Sequence, residues 1–256
     1  MNTEKTTKIN QLLFSQPSGV VLLSSWLTKQ GYNLDLQKSY RKSGWLESMG
    51  TGAMIRRNDD VEYEGAIYAL QIQLNLNIHI GGKTALSLLG KAHYLDLNPR
   101  SVTLFGGAKE KLPTWFKNYD WSVTINYHSS SFLKSNLGLV NMEFRTFSIK
   151  ISGAARSIME CLYLAPKKQP LLECFQIMES LNNLRPDKTQ ELLENCSSVK
   201  VKRLFLYMAE KANHEWFKQL FLEKIDLGSG KRSFIKEGIY VSKYKIVVPR
   251  ELYYYD

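Results

Sequence analysis

The chain has 256 residues, 44% of them hydrophobic and 23% charged, which excludes a disordered polymer and allows a sizeable core. Thirty-four lysines and arginines against 24 acids leave a formal charge of +10, which suits an anionic partner. The three cysteines, Cys161, Cys174 and Cys196, are odd in number and lack a CxxC spacing, which argues against a disulfide framework.

The opening MNTEKTTKINQLLF lacks the apolar core of a signal peptide. No apolar run approaches the ~20 residues of a membrane helix. A cytoplasmic protein with no membrane partner is expected. Ile9, Leu12 and Leu13 give Lys5 to Phe14 a helical spacing, with Thr3 or Thr6 as cap. Pro17-Ser18-Gly19 breaks the chain. Val20 to Gln30 reads as a second helix, stopped by Gly31. Asn33 caps a third, from Leu34 to about Ser43, with Gly44 at its left-handed end. Trp45 to Met49 and Ala53 to Arg56 read as short strands joined by Gly50-Thr51-Gly52. Three helices and a hairpin in this order spell a winged helix-turn-helix. The unit holds eight basic residues (Lys5, Lys8, Lys29, Lys38, Arg41, Lys42, Arg56, Arg57) against Glu4, Asp35 and Glu47. That is half the net charge in under a quarter of the chain.

Asn58-Asp59-Asp60 resets the pattern and caps a helix predicted from Val61 to about Leu74. Ile78 to Ile80 reads as a strand, followed by a glycine turn and a helix near Thr84 to Gly90. Ser101 to Phe105, Trp121 to Tyr127 and Met142 to Ile151 are strand regions. Helices are predicted at Ala155 to Leu164, Leu171 to Leu181, Asp187 to Glu194, Val199 to Lys211 and near His214 to Leu222. Strands follow at Ser233 to Lys236, Ile239 to Val241 and Lys245 to Val248. The fold class is α+β: an N-terminal winged helix-turn-helix over residues 1–57 and a larger mixed α/β domain over 58–256, with a candidate sub-boundary near 150.

On the third helix Leu36 and Tyr40 share an inward face, which turns Gln37, Lys38 and Arg41 outward. Gln and Arg pair bidentately with adenine and guanine edges. Lys38 and Lys42 suit phosphates. Arg56 and Arg57, ending the hairpin whose tip is Thr51, suit phosphate or a minor groove. The DNA-contact candidates are Asn33, Gln37, Lys38, Arg41, Lys42, Thr51, Arg56 and Arg57. The competing readings are a solvated helix face and an edge hairpin kept soluble by charge. Trp45 is expected in the core.

Gly81-Gly82-Lys83-Thr84 ends like a phosphate-binding loop, but the required earlier glycine is Asn77, so a helix-capping turn is the default. Glu62 and Glu64 diverge on a helix. The four histidines are scattered, and neither HExxH nor GxSxG occurs. No catalytic residue, cofactor or metal site is nominated, and the chain does not read as an enzyme. From Ser197 onward twelve basic residues face seven acids. Lys200, Lys202, Arg203, Lys231 and Arg232 are candidates for a second basic surface, against an ordinary solvated face.

Three stretches carry a family resemblance. Ser43-Gly44-Trp45-Leu46-Glu47, with the glycine wing and closing arginine, resembles the winged helix of AbiEi-type antitoxins. His79-Ile80-Gly81-Gly82-Lys83-Thr84-Ala85-Leu86, continuing to His93-Tyr94-Leu95, is similar to a second signature of that family. Asp226-Leu227-Gly228-Ser229-Gly230-Lys231-Arg232, with Tyr244 and Val248-Pro249-Arg250-Glu251, is similar to a third. The likeness runs from about residue 5 to 251. One departure is Ala155, standing before Arg156 where relatives often carry an acid. The resemblance implies a transcriptional repressor and antitoxin of a type IV toxin–antitoxin system, linked to abortive phage infection. Its winged helix would bind inverted repeats in its own promoter, with cooperative pairing on the double-stranded DNA. Its larger domain would counter a nucleotidyltransferase-like toxin without a stable complex. The alternatives are a winged-helix transcription factor whose larger domain senses a ligand or partner, and an enzyme using the Gly82-Lys83-Thr84 loop.

Overall fold

The computed structural model describes residues 7–91 and 100–255. The expected caps Thr3 and Thr6, and His93-Tyr94-Leu95, lie outside these described residues. Two compact units are present: Met1–His79 with Lys109–Thr124 and Asn141–Lys150, and Ile80–Ala108 with Ile125–Val140 and Ile151–Asp256.

The first unit opens with helix α1 (Lys8–Ser15), whose cap is Thr7. Strand β1 (Leu22–Leu23) and helix α2 (Ser24–Lys29) follow, where the sequence predicts one helix. The correction has a physical reason. Val20, Val21, Leu22 and Leu23 are all buried, and four successive apolar residues cannot share one helical face, whereas an extended chain buries both its faces. Helix α3 (Leu34–Lys42) and strands β2 (Leu46–Gly50) and β3 (Ala53–Arg56) complete a winged helix-turn-helix with sheet order β1-β3-β2. Its core is Ile9, Leu12, Val20, Leu22, Leu27, Tyr40, Leu46 and Met54. Each large apolar side chain so buried contributes about 1.5–3 kcal/mol.

Residues beyond 57 buttress this winged helix. Helix α4 (Tyr63–Tyr68) runs into a π-helical turn, Ala69–Gln73, in place of the predicted longer helix. That turn aims Gln73 at β1: its Oε1 accepts from Leu23 N at 2.8 Å and its Nε2 donates to Val21 O at 2.7 Å. One side-chain amide thereby satisfies backbone groups that a further strand would otherwise take. The Trp115 Cβ, on a short helix that the sequence pattern did not reveal (α6, Thr114–Asn118), lies beside Gly50 near the hairpin tip.

Glu64 is buried beside Tyr63, and its Oε2 has no hydrogen-bond partner among the described residues. Burial raises its pKa above the ordinary 4.5. The folded chain therefore holds this proton longer than the unfolded chain does. The contribution to stability is complete below the unfolded pKa and is lost as pH rises through the raised folded value. Glu64→Gln is expected to raise the melting temperature at pH 8 and leave it unchanged at pH 4, as calorimetry at the two pH values would show. An equal shift at both would refute this role.

In the second unit the core gathers helices α7 (Ala154–Leu164), α8 (Leu171–Ser180), α9 (Pro186–Asn195) and α10 (Val199–Lys211). A five-stranded sheet of order β6-β5-β4-β8-β7 has most of its residues in this unit; its strands are β4 (His79–Ile80), β5 (Ser101–Gly106), β6 (Thr124–Ser129), β7 (Leu139–Glu143) and β8 (Ser148–Ser152). The single strand region expected at Met142 to Ile151 is thus parts of two strands. A small sheet, β10 (Ile239–Val241), β11 (Ile246–Val248) and β9 (Arg232–Ser233), lies near the C-terminus. The three cysteines are free and buried.

The glycine turn before helix α5 (Gly82–Leu88) is occupied by protein groups. Glu160 Oε2 accepts from Gly82 N at 2.9 Å, Lys83 Nζ donates to Glu173 Oε1 at 2.7 Å, and Thr84 Oγ1 accepts from Thr103 N at 3.0 Å. A Cβ on Gly81 would stand 2.3 Å from Glu160 Oε2. A carboxylate fills the place that a phosphate would need, so the turn is a helix cap. Arg156 pairs with Glu160 one turn on, Nε to Oε1 at 2.8 Å; the family acid missing at Ala155 is not needed for an ion pair here.

Candidate nucleic-acid interface

The helix-turn-helix is built by α2, the turn at 30–33 and α3. Gly31, at φ 86°, makes the turn. Asn33 Oδ1 accepts from Leu36 N at 2.9 Å and so caps α3. Tyr40 is buried beneath the helix. At the far end Trp45 N donates to Tyr40 O at 2.9 Å and Gly44 adopts φ 74°, a Schellman ending built on the left-handed glycine that the sequence predicts.

Gln37 departs from expectation. It is only 2% exposed. Ser24 Oγ donates to its Oε1 at 2.7 Å, while its Nε2 donates to Tyr32 O at 2.7 Å and Thr28 Oγ1 at 3.1 Å. The side chain faces α2 and fixes the packing of the two helices. Helical spacing places Gln37 one position from the inward Leu36, and α2 offers enough polar partners to bury an amide without penalty. Lys38, Arg41 and Lys42 are exposed, sharing one side of α3 at i, i+3 and i+4. Lys8 joins the turn from α1, its Nζ donating to Gly31 O at 3.4 Å. In the sequence Lys8 was only part of a charge count, because nothing local to it marks its nearness to the turn.

The hairpin is short, and the register pairs Leu46 with Arg56 and Gly50 with Ala53. Thr51 is exposed at the tip, and Ser24 N donates to the adjoining Gly52 O at 2.9 Å. Both arginines sit at the hairpin base, away from the tip. Arg56 is partly buried; its Nη2 donates to Leu13 O at 2.7 Å and to Gln16 O, tying down the carbonyls that end α1. Burial lowers its pKa. Arg57 is exposed and lies 3.6 Å from Glu47. Trp45, expected in the core, is 46% exposed. With Leu13, Gly44, Arg57 and Asp59 it lines a pocket of about 240 Å³ at the hairpin base.

The second basic surface divides in two. Lys202 and Arg203 are buried, 4% and 1% exposed. Lys200 Nζ donates to Tyr163 O at 2.6 Å and Ala165 O at 2.7 Å, closing the end of α7, and desolvation lowers its pKa. Helix α10 packs on nearly all sides, and its Lys200 and Arg203 turn inward to carbonyls. Lys231 and Arg232 remain exposed. Among the described residues no three His, Cys, Asp or Glu side chains come together to hold a metal, and no helix is long and apolar enough to cross a membrane.

Two family models match. One, described as the N-terminal domain of the AbiEi antitoxin transcriptional regulator, covers residues 5–97. The other, described as the transcriptional regulator AbiEi antitoxin of type IV toxin–antitoxin systems, covers residues 99–249. Among solved structures the chain is similar to the RV2827C protein from Mycobacterium tuberculosis, with a TM-score of 0.58 and 12% identity over 94% of this chain and 89% of that one. That likeness is one of fold. No curated protein matches.

Proposed function

The chain belongs to the AbiEi antitoxin family, the transcriptional regulators of type IV toxin–antitoxin systems, and from that premise we propose that it represses its own operon by binding inverted repeats in the promoter. One observation carries the reading: α3 presents Lys38, Arg41 and Lys42 to solvent on a helix held from behind by Gln37 and Tyr40. Arg41 is the base-reading candidate, while Lys38 and Lys42 set position on phosphates. Asn33 contributes the α3 N-terminus, and Thr51 and Arg57 flank the backbone. Gln37 and Arg56 serve from inside, as residues that position the interface. A single winged helix makes few base contacts, so paired occupancy of two half-sites supplies specificity.

Residues 1–57 are the DNA-binding part in this reading and 58–256 the antitoxin part, which opposes the toxin without a stable complex and without catalysis. The place of action is the cytoplasm, where the promoter is. The test has two arms. The logarithm of the affinity for a duplex of the chain's own promoter should fall linearly with the logarithm of salt, at a slope of roughly −0.9 per phosphate contacted, and the affinity should exceed that for an unrelated duplex. Co-expression with the adjoining toxin gene should restore growth. A promoter bound no better than unrelated DNA would refute the first role; growth still arrested at full expression would refute the second.

A further inference from the structure

Arg203 is the largest fully buried side chain among the described residues, and the partners of its guanidinium are backbone carbonyls. Nε donates to Leu227 O at 2.8 Å, Nη1 to Gly230 O at 2.7 Å and Lys245 O at 3.2 Å, and Nη2 to Gly228 O at 3.0 Å. This fixes the direction of the loop's amides as well. In a trans peptide the C=O of one residue and the N–H of the next point opposite ways. With the Gly228 and Gly230 carbonyls drawn onto the guanidinium, the N–H groups of Ser229 and Lys231 point away from it. Neither has a protein acceptor among the described residues. The Gly228 N–H is taken by Asp226 Oδ1 at 2.8 Å.

Gly228 and Gly230 take the left-handed φ values of 59° and 74°, the kind of backbone conformation from which anion-binding nests are built. The space beside Gly230 is open, since a Cβ there would meet no atom within 4 Å. The side chains next in sequence, Lys231 and Arg232, are both exposed. Lys231 Nζ lies 5.0 Å from the ring centre of the half-exposed Tyr240.

We propose that Gly228–Arg232 is a phosphoryl-binding loop. The Ser229 and Lys231 amides hold two oxygens of a phosphoryl group, and the Lys231 and Arg232 side chains neutralise its charge. Arg203 is a positioning residue that orients the amides from inside. The phosphoryl group comes from a free nucleotide polyphosphate or from a polynucleotide backbone, which share this chemistry. The site does not rest on DNA binding by α3.

The experiment follows the Ser229 and Lys231 amide resonances of the full chain during titration with tripolyphosphate and, separately, with a short non-operator oligonucleotide. Saturable shifts with tripolyphosphate, weakened about tenfold or more by Lys231→Ala/Arg232→Ala, support the loop and the free polyphosphate. Shifts with the oligonucleotide alone, weakened likewise, support the loop and the polynucleotide. Amides unmoved by either, or a double variant that binds both as the parent does, overturn the proposal. Repeating the titration in the Lys38→Ala/Arg41→Ala protein separates this outcome from any failure of the α3 reading.

Discussion

Lys38→Ala/Arg41→Ala is expected to weaken promoter binding by about a hundredfold or more at physiological salt. The two side chains act in different ways. A base-reading arginine is worth roughly 1–3 kcal/mol and relaxes specificity at one position when lost, whereas a phosphate-contacting lysine weakens all sequences alike and takes about one unit from the salt slope. The single variants should therefore separate: Arg41→Ala narrows the gap between promoter and unrelated duplex, and Lys38→Ala leaves the gap and flattens the slope. Anisotropy titrations on both duplexes at three salt concentrations measure this. Both side chains are exposed, so the fold should melt unchanged. Promoter binding equal to that of the parent would remove α3 from the interface. The full chain is the right material, because the compact unit that contains residues 7–57 also contains 109–124 and 141–150. A deletion at residue 57 would strip that shared unit apart.

Glu160→Ala is expected to cost about 3–5 kcal/mol, the usual consequence of removing one member of a buried ion pair. The side chain is fully buried and accepts from Arg156 Nε, Gly82 N and Ser152 Oγ. Its loss strands the Arg156 guanidinium, 4% exposed, with the Lys134, Ser135 and Leu137 carbonyls as its remaining acceptors among the described residues. Carbonyls accept hydrogen bonds but do not cancel a charge. For a chain of this size the melting transition should fall by roughly 6–20 °C. Arg156→Met/Glu160→Leu should recover much of that loss, since no unpaired charge remains. A single variant that melts like the parent would show the pair to be dispensable.

The sequence located most helices of the second unit well, with α10 matching its expected span of Val199 to Lys211. Long periodic segments with caps and breakers encode their own limits, because the signal repeats every turn. In the first unit the order of the winged helix-turn-helix, the Asn33 cap and the Gly44 ending were legible for the same reason: each is decided within four or five residues. The division of 139–152 into two strands and the helix at Thr114–Asn118 were not, since a short turn and a short helix exist through long-range pairing and packing.

Local pattern also determined that α3 would be cationic, and that Lys38, Arg41 and Lys42 would share a side. It did not determine which polar residues beside them would be available to a partner. Gln37 lies next to those cations in the chain, yet α2 and the turn after it supply the hydroxyl and carbonyl groups that draw it inward. Arg56 is drawn to the end of α1 and Arg203 to a loop more than twenty residues away. A polar side chain enters a protein interior without penalty only where hydrogen-bond partners from elsewhere in the chain converge on it. The residue type sets what a side chain can bind, and the tertiary structure, by bringing or withholding those partners, sets whether it binds the protein itself or is left for something else.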